Sequence, residues 1–596
     1  DEIESIEKYL IDFMWDNYMK NTQDSYTVAN YLRNSGIYSD ASVPYTRTYS
    51  EVMEATGFFN MYRIEKAYPD LIEYRKPAEW YLEKAYGIYI NRVNAYEIGY
   101  YGEQQIPQMI EALYDEGMDD EAEKLQNLFA KEKGTNMTRA AYPYGSEFEY
   151  DNTGEEGAYS AAKALRKYYP DSSDTDKALS QMEKAEWKTR AMRGLQPTWY
   201  QYADPVFRGG ETWWNFQYTA SLAGYIMDDW LRYEDTTADA DETAWSQRMN
   251  YAAKLSNFNA INMGQISSEY IGNTSWRYTM SKGGVGAQDV NDGGTRVMNN
   301  GWNDFSGESD EGIYGSLLSI SSDVVTDPIF GLTGYGCDVS KSGDVYTVTP
   351  LDGIGKRINI IDGKVYVELE QDSCTQAVIN KNGAVMNLTV NNTTGKEHLL
   401  KISLSGAGVG DGYYDITAEC GDSSNQNQCY VKDNEGTAYV VVPEGESAQI
   451  SITKKDGGEN KEPKIYDIKT DENPQALTAF SVKASAYDDG APSGRLTYKW
   501  ENVEKPEGAE VSFTSESQTF TDITASLDGE YKFKITVNDG KLSTEKTITV
   551  NVGRPDEKKA PVIDKAEAVQ DNINTTTAKL SASATADTTY KNTLTY

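Results

Sequence analysis

The period at which apolar residues recur changes once along this chain, near residue 304. Before it, apolar residues return every third or fourth position; after it, they alternate with polar ones. The first period places side chains on one stripe of a helix and the second on one face of a strand. One core cannot serve both, and 596 residues are too many for a single core in any case. In the first half Ile3, Ile6, Leu10 and Phe13 fall at helical spacing, as do Ile106, Met109, Ile110 and Leu113. Similar runs occupy 49–69, 77–96, 119–132, 155–169, 174–191, 211–232 and 242–257, separated by breakers such as "YPDL", "KEKGTN" and "YYPDSSD". Roughly ten helices without strands and without strict self-similarity predict a helical toroid over 1–258. Residues 259–303, rich in Gly, Asn and Ser, read as a connector carrying active-site loops.

From 304 to 455, runs such as "RINIIDGKVYVELE", "AVMNLTVNN" and "HLLKISLSG" predict an antiparallel β-sandwich. The glycine-rich "GAGVGDG" at 406–412 has no helix after it, so it reads as a hairpin turn rather than a phosphate loop. The charged linker "KKDGGENKEPK" leads to an Ig-like module over 464–553, with Trp500 where such a core takes an aromatic. After a second linker, 562–596 opens a further β module. The N-terminus enters a helix pattern at once and has no leader-like apolar stretch. Both ends read as cut from a longer chain, with further domains of the same polypeptide on either side.

Composition removes whole classes of chemistry. The net charge of −37 repels nucleic acid and anionic membranes, and no apolar run reaches the roughly eighteen residues of a membrane span. The single histidine, His398, reads as a surface strand residue. Without a second histidine there is no multi-histidine metal site, and no Ser-His-Asp triad away from that residue. The four cysteines follow no zinc spacing; Cys420 and Cys429 flank a polar turn and are placed for a local disulfide. No cofactor is expected, and calcium on carboxylates is the metal that this composition still allows. Carboxylates, tyrosines and lysines are left to move protons.

The aromatics show where. Ten of the eleven tryptophans precede residue 303, and there are 45 tyrosines. Aromatic faces stack on the C–H faces of sugar rings, so a carbohydrate substrate is expected. Two loops concentrate acids among aromatics. "AAYPYGSEFEYDNTGEEGAY" carries Glu147, Glu149, Tyr150 and Asp151, with Thr153 and Glu156 set as a capping box for the following helix. "QPTWYQYADPVFRGGETWWNF" carries Trp199, Tyr200, Arg208, Glu211, Trp213 and Trp214. Glu147, Glu149 and Glu211 are the expected catalytic acids, and the other residues named in these two loops are expected to bind substrate, together with Asp304 and Glu308. Glu103 in "GYYGEQQ" is a further acid in aromatic surroundings, and Arg208 with Tyr200 or Tyr202 is the pair that a polysaccharide lyase would use.

The segments "SEFEYDNTGEEGAY", "SGESDEGIYGSLLSISSDVVTDPIFGLTGYGCDV" and "TVTPLDGIGKR" resemble a group of large secreted bacterial proteins, itself similar to the six-hairpin glycosidase superfamily. The resemblance covers roughly 1–455 and implies an (α/α)6 toroid, a secreted or cell-surface location and glycoside hydrolysis, mostly with inversion. "DDGAPSGRLTYKW" and "YKFKITVNDGKLS" resemble the PKD-like modules appended to such enzymes. The expected function is therefore a two-carboxylate glycoside hydrolase. Its alternatives are a polysaccharide lyase on a similar toroid and a glycan-binding or adhesion protein without catalysis.

Overall fold

The computed structural model describes residues 2–19, 26, 48–96, 99–100, 102–139, 154–193, 224–237, 239–260, 288–290, 296–298, 320–421, 423–445, 447–471, 474–553, 562–569 and 579–585. An N-terminal helical part is followed by antiparallel β-sheet domains. The chain divides into two compact units, Asp1–Asn460 with Asp489–Ala491, and Lys461–Asp488 with Pro492–Tyr596.

In the first unit the helices form where the apolar period is three to four. Thr48–Ala67 packs on Ala78–Arg92, and Glu155–Tyr168 packs on Thr175–Arg193, so neighbours in sequence are neighbours in space. Ile106, Met109, Ile110 and Leu113 line one face of Ile106–Asp115 and are fully buried. They join Phe58, Phe59, Tyr81, Ile88, Tyr89 and Phe129 in the main helical core. Each such side chain contributes about 1.5–3 kcal/mol by leaving water. Of the first quartet, Leu10 is buried but Ile6 is 45% exposed.

The sandwich that follows pairs a seven-stranded sheet with a six-stranded one. Alternation decides which side chains meet between them. Met386, Leu388 and Val390 of Val385–Asn391 point inward with Leu400, Ile402 and Leu404 of His398–Ser405, while Asn387 and Thr389 lie between inward positions. One pairing departs from the antiparallel rule, since Ser322–Asp327 runs parallel to Arg357–Ile360. The stretch 406–412 is not a hairpin turn. The strands on either side of it, His398–Ser405 and Gly412–Cys420, belong to different sheets, so the glycines carry the chain across the sandwich edge. The Tyr414 hydroxyl fixes that crossing by donating to the carbonyls of Val409 and Gly410. Cys420 and Cys429 are free, as are Cys337 and Cys374. In the hairpin of the first two, Cys420 faces Ser423 and Cys429 faces Tyr414, which puts the thiols far apart along the ladder.

His398 is not a plain surface residue. Its Nε2 donates to Asp372 Oδ2 at 2.9 Å and its Nδ1 faces the Lys396 carbonyl at 3.0 Å. Two oxygen acceptors suit the imidazolium, which has two donors. Burial pulls its pKa down, but the bonds to Asp372 and Lys396 outweigh this and leave it raised.

The helical part is clamped to the sandwich by buried charges. Lys254 of Ala240–Ala260 reaches Asp228 Oδ1 at 2.9 Å and Asp323 Oδ2 at 3.2 Å. Asp323, on Ser322–Asp327, also accepts from Gln247 and Asn359, both at 2.7 Å. Asp228 is paired with Arg232 and accepts from Asn250 at 2.9 Å. Burial alone would raise the Asp228 carboxyl, but the Arg232 and Lys254 charges hold it well below the usual carboxylate range.

The second unit has its own core. A four-stranded and a three-stranded sheet enclose Trp500, Phe480, Val482, Phe533 and Ile535. The Trp500 ring is fully buried and its Nε1 donates to the Gln518 carbonyl at 2.9 Å. The Tyr531 hydroxyl donates four residues back to Leu527 at 2.7 Å, in the manner of the tyrosine corner of Ig-like sandwiches.

Candidate functional site

Three stretches of chain meet where the Glu155–Tyr168 helix begins. The first runs from Gly99 to the 3-10 turn Glu103–Gln105. It approaches so closely that a Cβ on Gly99 would lie 2.1 Å from the Gly154 carbonyl. A Cβ on Gly157 would lie 2.4 Å from Glu103 Oε2 and 2.7 Å from the Tyr100 carbonyl. Only glycine at both positions lets the helix seat on the turn. The third stretch is the start of the Gly224–Asp229 helix, whose Tyr225 N–H donates to Glu156 Oε1 at 3.3 Å.

Glu103 is fully buried beneath this meeting point. Its Oε1 accepts from the Tyr89 hydroxyl at 2.7 Å and from Lys133 Nζ at 2.5 Å, and its Oε2 accepts from the Tyr100 N–H at 2.8 Å. Lys133 is equally buried and also lies over the Tyr100 ring. A carboxylate so engaged holds the fold together rather than activating a water. Asp229 is a second such centre. It accepts from Tyr159 at 2.7 Å, from Lys163 at 2.7 Å and from Tyr225 at 3.0 Å. Burial first, and the Asp229 charge next, push the phenols of Tyr159 and Tyr225 well above their ordinary range. Thr153, the expected cap of this helix, lies outside the described residues. The residue before the helix is Gly154, without a side-chain cap, and Glu156 is buried as a tertiary acceptor for Tyr225.

Two amides beside Glu103 are different in kind. Gln104 and Gln105 are buried, and neither the nitrogen nor the oxygen of either amide has a hydrogen-bond partner among the described residues. The Ser160 hydroxyl, one turn beyond Gly157 on the same helix face, is buried and unpartnered in the same sense. An unsatisfied buried polar group costs about 1–3 kcal/mol, so this is a costly concentration. Elsewhere in the helical part, burial pushes the Glu54 carboxyl up to about 7 against the opposing bond from the Tyr9 hydroxyl.

The acids and aromatics expected from the sequence, Glu147, Glu149, Tyr150, Asp151, Trp199, Tyr200, Arg208, Glu211, Trp213, Trp214, Asp304 and Glu308, lie outside the described residues, as do Thr153 and Tyr202. The structure does describe the helices Glu155–Tyr168 and Gly224–Asp229, and it joins their first turns through Glu156 and Tyr225. Sequence reasoning singled out Glu103 but missed Gln104, Gln105, Ser160, Lys163 and Asp229. A cue existed in "GEQQIP", where two amides precede a strongly apolar helix face, and in "YIMDDW", where two acids interrupt apolar residues. Among the described residues no group of three or more His, Cys, Asp or Glu side chains is arranged to hold a metal, and no helix is long and apolar enough to cross a membrane.

Comparison with known proteins matches stretches of this chain to family models. Residues 472–552 match the PKD domain family, as the Ig-like reading of Trp500 and its neighbours expects. Solved structures align at low score. An S-layer protein, SbsC, aligns at 10% identity with a TM-score of 0.14, covering 91% of this chain and 95% of its own. Chondroitinase AC lyase aligns at 10% identity with a TM-score of 0.19, covering 93% and 98%. Scores this low do not mark a shared fold. The family of unknown function DUF5695 matches residues 17–184 and 296–440, more than half of the chain, and the chain belongs to that family.

Proposed function

We propose that the chain is a secreted or cell-surface glycoside hydrolase whose helical part, 1–258, is an (α/α)6 toroid with the active site at one rim. The connector 259–303, sandwich 304–455, module 464–553 and further β segment 562–596 complete the division. One observation carries the reading. The first turns of Glu155–Tyr168 and Gly224–Asp229, which come after the two acid- and aromatic-rich segments in sequence, are joined by the Tyr225 N–H to Glu156 Oε1 hydrogen bond at 3.3 Å.

In this reading Glu147 or Glu149 on the first loop and Glu211 on the second flank the scissile bond. One protonates the leaving oxygen; the other holds the attacking water as base. Trp199, Trp213 and Trp214 stack on sugar rings, and Tyr150, Asp151, Tyr200, Arg208, Asp304 and Glu308 supply hydroxyl contacts. A carboxyl separation of about 6.5–9.5 Å gives inversion, which is the expected outcome. The test is to change Glu147, Glu149 and Glu211 singly to Gln and measure turnover of oligosaccharides. At least one variant should lose well over tenfold, about 1.4 kcal/mol of barrier. Activity within tenfold in all three would remove the assignment, and an unsaturated product would turn the reading toward a lyase.

A further inference from the structure

We infer that the turn Glu103–Gln105 and the facing side of the Glu155–Tyr168 helix form a subsite for a neutral, hydroxyl-rich ligand, a sugar residue in the carbohydrate reading on which this inference rests. The observation is the set of five buried polar atoms without partners among the described residues, on Gln104, Gln105 and Ser160. They are carried by two surfaces already in contact, because Gly157 seats the helix against Glu103 and Ser160 follows one turn later.

The chemistry of the set selects its ligand. Each amide offers two donor hydrogens and one acceptor oxygen, and the serine hydroxyl offers both roles. Such groups match sugar hydroxyls, which also give and take hydrogen bonds. An anionic ligand is disfavoured here. The neighbouring cation Lys133 is spent on Glu103 at 2.5 Å, and Lys163 is spent on Asp229 at 2.7 Å. A purely apolar ligand would leave the amides unsatisfied. The place also fits, since the helix carrying Ser160 directly follows the loop of Glu147 and Glu149, and Glu156 ties it to the helix that follows the loop of Glu211.

The experiment uses the full chain and three probes: cellohexaose, xylohexaose and maltohexaose. Gln104→Leu, Gln105→Leu and Ser160→Ala keep size and remove polarity. Binding is measured by calorimetry and folding by thermal unfolding of the free protein. The expected result is binding of at least one probe by the wild type, weakened about tenfold by either Leu variant, with unfolding temperature unchanged or raised. Equal binding by wild type and both Leu variants overturns the subsite and leaves the hydrolase reading standing. A clear loss of stability in the free Leu variants also overturns it, because the amides then have partners inside the protein. If the wild type binds none of the probes, the subsite and the carbohydrate reading fall together. Whichever of Glu147→Gln, Glu149→Gln and Glu211→Gln loses turnover separates the two claims further, since it should still bind the probe.

Discussion

At the scale of single residues, the strongest determinants here are charges whose partners are remote in sequence. Glu103 is an acid among tyrosines in the sequence, but Lys133, thirty positions on, neutralises it. Nothing in the local sequence announces that pairing. His398 is a similar case, made by Asp372 on the neighbouring segment. Its pKa is raised in the folded protein, so its stabilisation is fully present below the unfolded value of about 6.5 and is lost as pH rises through the folded value. His398→Gln should therefore cost more stability at about pH 5 than at about pH 9, by about 1 kcal/mol in the first case. Denaturant unfolding at the two pH values checks this, and an equal cost at both would show that the charged form plays no part.

At the scale of elements, the sequence was most readable where a face is long and strictly periodic. Ile106–Asp115 and Val385–Asn391 carry apolar side chains at every position of one face, and each buries the expected side. Legibility failed where the same local pattern serves two topologies. A run of glycines between two strands suits a hairpin and a crossing between sheets equally, and only the partners of His398–Ser405 and Gly412–Cys420 decide for the crossing. Glu156 shows a related limit: an acid early in a helix suits capping, and its bond to Tyr225 of another helix had no local sign. The acid-rich loops were legible as chemistry, through composition, but composition carries no geometry. The contact of the Glu155–Tyr168 helix with the turn beneath it rests on the absence of a side chain at Gly157. Gly157→Ala should lift the helix from Glu103 and cost about 1–3 kcal/mol, read by thermal unfolding. A neutral effect would mean that the turn yields easily.

At the scale of the molecule, the helical part and the first sandwich act as one body. Lys254 compensates one carboxylate from each, Asp228 in the helices and Asp323 in the sheet. A double-mutant cycle with Lys254→Met and Asp323→Asn should show a coupling energy of about 0.5–3 kcal/mol, measured by unfolding. Additive effects would show that this ion pair is not coupled and that the junction is held by its other contacts, among them Arg248–Asp327 at 3.0 Å and the packing of Ala244, Val325, Ile361 and Tyr366. Asp228 and Asp229 are adjacent on one short helix, the first serving this junction and the second the network of Tyr159 and Lys163. A strain applied at the sandwich thus reaches the buried network of Tyr159 and Lys163 through one residue-to-residue step.

The free thiols of the sandwich give this chain a built-in reporter. Burial pushes Cys337, Cys374 and Cys429 up to about 12, so at neutral pH they are protonated and shielded. Cys420, half-buried at the end of its strand, is the accessible one. A maleimide dye should label the native protein once, at Cys420, and the urea-unfolded protein at all four cysteines. More than one rapid label on the native chain would mean that the sandwich opens readily. A dye fixed at that single position then lets the opening of the sandwich be followed by fluorescence, without introducing or removing any residue.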